Sequence, residues 1–67
     1  MDTERIKIEL FKNRKKTSMA KIARQLNVTR GAVSLVVNRK SVSRRIMLAV
    51  ADAIGQPAEI VFPEYFE

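Results

Sequence analysis

A chain of 67 residues supports one domain, spanning 1–67, with one modest core, because so short a chain buries only about 60% of the surface its unfolded form exposes. It has no cysteine and no histidine, which removes disulfides, thiolate chemistry, imidazole metal ligands and the commonest general base; no enzyme activity, metal site or cofactor is expected. The net charge of +6 hides an asymmetry, since residues 10–51 hold no acid yet carry all of the 13 lysines and arginines except Arg5 and Lys7, the pattern of a polyanion-binding surface.

In chain order, the pattern predicts a first helix over residues 3–14, with Thr3 as N-cap, Glu4 favourably placed in the first turn, and Ile6, Leu10 and Phe11 as a narrow apolar stripe. Ile8 points elsewhere, and the run 13–16 reads as a connection. Ser18 caps a second helix, 19–26, in which Met19, Ile22, Ala23 and Leu26 recur at i, i+3, i+4 and i+7. Asn27 ends it, at a position where a left-handed backbone is common. Thr29 caps a third helix from Arg30 to about Asn38. At about 100° per residue, Val36 and Val37 fall within about 60° of Val33 and form its buried face. Leu35 lies about 200° away, among Gly31, Ser34 and Asn38, so an apolar side chain is expected to point outward.

Residues 38–42 read as a loop. Ser43 caps a fourth helix, 44–54, with Ile46, Val50, Ala53 and Ile54 as its core stripe and Gly55 as its terminator. Pro57 opens one more short turn, Phe62-Pro63 stops it, and the aromatic tail FPEYF is expected to fold back on the core. Met47, Leu48 and the tail are open between core and interface. No apolar run approaches the ~18 residues of a membrane span. The start MDTERIKIEL has charges where a signal peptide is apolar, so a cytoplasmic protein with no membrane partner is expected.

The order Ile22, Ala23, Leu26, Asn27, Val28, Val33, Val36 resembles the helix-turn-helix of the lambda repressor and Cro superfamily. That resemblance implies a compact all-α bundle of four to five helices, with Ala23 as the small residue at the helix crossing, Val28 as the buried turn residue and Val33 as anchor of the recognition helix. With the ends included, TSMAKIARQLNVTRGAVSLVVNR followed by IMLAVADAIGQPAEIVFPEYF is similar to the Ner family of small transposable-phage repressors. The shared features are a late helix, a proline-containing turn and an aromatic-Pro-x-x-aromatic tail, here Phe62, Pro63 and Tyr65 or Phe66. The loop KSVSRRIM departs from that family, lacking its usual tryptophan-proline pair. The same periodicity would serve a helical hairpin that only builds a core or docks on a protein.

If the third helix enters a major groove, Arg30 can reach a guanine edge or a phosphate, Ser34 and Asn38 can hydrogen-bond base edges or phosphates, and Leu35 can rest on a thymine methyl. Gly31 removes bulk where helix meets duplex. Ser18, Thr29, Arg39, Lys40 and Arg44 surround that face as phosphate candidates, with Lys12, Arg14, Lys15 and Lys16 extending the field. The expected partner is double-stranded DNA, bound in the nucleoid by a homodimer, because one short helix reads only a few base pairs. No small-molecule ligand is expected. The function expected is sequence-specific transcription regulation, of the phage repressor kind, by operator occupancy. An architectural or excision accessory protein and a protein-interaction module of anti-repressor or antitoxin type are the alternatives.

Overall fold

The computed structural model describes residues 1–66. Five helices follow one another: α1 (Thr3–Lys12), α2 (Met19–Leu26), α3 (Arg30–Val37), α4 (Arg44–Ile54) and α5 (Ala58–Val61). Four of them begin at a side-chain cap whose oxygen satisfies an otherwise unpaired amide of the first turn. Ser18 accepts from the Lys21 N–H, Thr29 from Ala32 and Ser43 from Ile46, as the sequence predicts. At α1 the cap is Asp2, not Thr3: the Asp2 carboxylate accepts from the Arg5 N–H at 2.7 Å. Thr3 is thereby the first helical residue, and its hydroxyl is redirected to the Val37 carbonyl at 3.0 Å, tying α1 to the end of α3.

α4 is the central element, in contact with α1, α2, α3 and α5. Coverage from so many sides widens its buried arc beyond a single stripe, so Met47 and Ala51 join Ile46, Val50 and Ile54 in the core while Ala53 is half-buried. Met47 is fully buried and belongs to the core; Leu48 is exposed. Ile6 and Leu10 supply the buried face of α1. Phe11 does not join it: a step of about 100° beyond Leu10 carries its ring off the seam, and the residue is 66% exposed. Phe62 is fully buried, and Tyr65 and Phe66 pack against the same cluster, so the tail folds back on the core. No helix of the described residues is long and apolar enough to cross a membrane.

Candidate nucleic-acid interface

Only three residues separate α2 from α3. Asn27 takes the left-handed conformation, φ 57° and ψ 44°, which Asn tolerates better than other residues with a Cβ. The turn lets the Val28 N–H reach back to the Ala23 carbonyl at 3.0 Å, the bond that closes a Schellman motif. Val28 packs on the core, and Thr29 starts α3 at once by accepting from the Ala32 N–H at 3.1 Å. Ala23 on α2 and Val33 on α3 are both buried in the one core cluster. Arg45 reinforces the turn from α4, its Nη2 donating to the Leu26 carbonyl at 2.8 Å. Helix periodicity gives no sign of that bond, because it depends on where α4 crosses the end of α2.

With Val33, Val36 and Val37 buried, α3 shows its opposite face. Arg30, Gly31 and Leu35 are exposed and Ser34 and Asn38 are half-buried; Leu35 retains 48% of its accessible surface. The Asn38 side-chain amide donates to the Ser34 carbonyl at 2.8 Å and to its hydroxyl at 3.3 Å. The two polar residues are thus held together as one donor–acceptor unit at the end of the helix.

The candidate phosphate ligands divide into two groups. Ser18 and Thr29 accept capping bonds and keep their hydroxyl protons for another acceptor. Lys40 is exposed. Arg39, expected in this set, is instead engaged within the protein. Its backbone is left-handed at φ 58°. Its Nε donates to Glu64 Oε1 at 2.6 Å, its Nη1 to Thr3 Oγ1 at 3.2 Å, and its Nη2 to the Met1 and Val61 carbonyls. The guanidinium also stands 5.5 Å from the Phe62 ring centre. Hydrogen bonding from Arg39 holds the Glu64 carboxyl below the usual carboxylate range, with the Glu64 backbone amide assisting. Arg44 is similarly drawn to the tail, its guanidinium lying 4.4 Å from the Phe66 ring centre and its Nη1 donating to the Tyr65 carbonyl at 3.2 Å.

Arg14 is a cation that the sequence marks only as part of a general field. It stacks 4.4 Å from the Phe11 ring centre and donates through Nη1 to the Phe11 carbonyl at 3.1 Å. It borders a hollow of about 400 Å³ shared with Ser18 and Arg30. No group of acidic residues among those described could hold a metal ion.

The whole chain, residues 1–67, matches the family model described as winged helix-turn-helix DNA-binding. No curated protein and no solved structure matches it. The described residues contain no strand, so the wing of the family's name has no counterpart among them, and membership is expressed in the α2–turn–α3 unit. The chain belongs to the winged helix-turn-helix DNA-binding family, which makes double-stranded DNA its partner.

Proposed function

We propose that this protein is a sequence-specific transcription regulator that represses by occupying an operator, in the manner of the small transposable-phage repressors its sequence resembles. The observation that carries this reading is the outward face of α3: Leu35 lies 48% exposed between a glycine and a polar pair, on a helix whose other face is fully committed to the core. An apolar contact to a thymine methyl flanked by hydrogen-bonding groups is a base-reading arrangement, whereas phosphate binding alone needs only cations. Arg30, Ser34, Leu35 and Asn38 read bases in this arrangement, Gly31 permits close approach, and Ser18 and Thr29 touch the backbone. Occupancy is a mode of action that needs nothing beyond the helix-turn-helix bundle itself. Two copies on a pseudo-palindrome, about one helical turn apart, supply the specificity one short helix lacks.

The test is selection of bound duplexes from a random pool followed by sequencing. A two-fold related motif is the expected result. Salt-sensitive binding with no enriched sequence would replace the repressor by an architectural protein, and capture of a protein with no DNA binding would overturn the reading altogether.

A further inference from the structure

The cations around the helix-turn-helix are not equivalent. At the α3–α4 loop, Arg39 spends its Nε, Nη1 and Nη2 on the tail and the start of the chain, and Arg44 is held toward the tail by the Tyr65 carbonyl and the Phe66 ring. On the other side, Arg14, Ser18 and Arg30 line one hollow of about 400 Å³. Arg14 also borders a second hollow, of about 330 Å³, rimmed by residues 12–16. Arg14 is thus common to the two concavities.

The floor of the first is apolar, built by Leu10, Phe11, Met19 and Ala20. Stacking on Phe11 fixes the Arg14 guanidinium in advance, so less side-chain freedom is given up when it binds. Lys21 on α2 joins the group by donating to the Lys15 carbonyl at 3.4 Å. Lys12, by contrast, is partly offset, lying 3.3 Å from the Glu9 carboxylate. Arg14, Lys15 and Lys21 have no acidic partner among the described residues. Unpaired cations beside an apolar floor match a sugar–phosphate strand, which offers alternating anionic and apolar surface.

We propose that the DNA backbone beside the recognition helix passes over the α1–α2 turn, held by Arg14, Lys15 and Lys21, and not over the α3–α4 loop. This rests on the DNA-binding reading and adds a direction to it: the flanking phosphates lie on the N-terminal side of α3. Removing one phosphate-binding cation makes the slope of log affinity against log salt shallower by about 0.9.

The experiment compares the full chain with Lys15→Gln/Lys21→Gln in fluorescence anisotropy on a duplex over a salt series, with thermal melting run on both. Both lysines are exposed, so an unchanged melting curve is expected together with a slope shallower by about 2. Lys15→Gln alone gives a smaller step in the same direction and serves if the double variant melts early. An unchanged slope in a folded variant, with Lys40→Gln/Arg44→Gln lowering it instead, would overturn the proposal and leave DNA binding intact. A parent chain without salt-dependent binding would overturn the DNA-binding reading itself, a separable result.

Discussion

At Gly31 an added Cβ would meet only the Thr29 hydroxyl oxygen, at 3.8 Å, an ordinary contact. Nothing in the free protein requires a glycine there, and a glycine inside a helix costs about 0.5–1 kcal/mol relative to alanine. Gly31→Ala is therefore expected to raise stability by about that amount in urea denaturation, and to weaken duplex binding if the helix meets DNA at this point. A variant that gains stability and keeps full affinity would remove Gly31 from the interface. Leu35→Ala makes the complementary case. Half-exposed, Leu35 contributes little to folding, so melting should move only slightly while preference for the selected sequence over a random duplex falls. Arg39 reverses this logic, because truncating it strips bonds from Glu64, Thr3 and two carbonyls at once.

Asn27 holds the angle between α2 and α3, and the requirement there is conformational. Asn27→Gly should be nearly neutral, since glycine enters the left-handed region freely, whereas Asn27→Val should cost about 1–2 kcal/mol. A costly Gly variant in thermal melting would point to a side-chain role for Asn27. Within α2, Ile22 is buried, and Ile22→Ala is expected to cost about 2–5 kcal/mol. The elements themselves are legible because their signals are local: Ser18, Thr29 and Ser43 sit before apolar periodicity, and Asn27 and Gly55 follow it. Asp2 and Thr3 are both good caps, and choosing between them needs the Val37 carbonyl that claims the threonine hydroxyl. Phe11 is misleading because adjacency to Leu10 suggests a shared face that the helical step denies it. Met47 stays open in the sequence because a stripe cannot show how many helices surround α4. The outward Leu35 is legible from angle alone, whereas the engagement of Arg39 and Arg44 by the tail is not, since it joins residues far apart in the chain.

Taken whole, the molecule is a bundle whose recognition unit is braced by segments from both ends of the chain. The Arg39–Glu64 pair is one such brace. Because its partner lowers the Glu64 pKa, the contribution is present above the unfolded value of about 4.3 and fades as pH falls through the lower folded value. Parent and Glu64→Gln are thus expected to differ in urea stability near neutral pH and to converge under acid conditions. With the carboxylate partly exposed, the gap should not exceed about 1 kcal/mol. A gap that persists in acid would assign the effect to packing. If about six phosphates are neutralised per bound unit, log affinity should fall against log salt with a slope near −5.

Whether the outer face of α3 and the turn before α2 meet DNA is tested most directly by titrating the isotope-labelled protein with duplex and following amide NMR shifts. The largest changes are expected at Arg30, Gly31, Ser34, Leu35 and the 14–21 segment, with α5 and the outer surface of α4 quiet. Changes centred on Leu48, α5 and the tail, with α3 unmoved, would contradict this placement of the DNA.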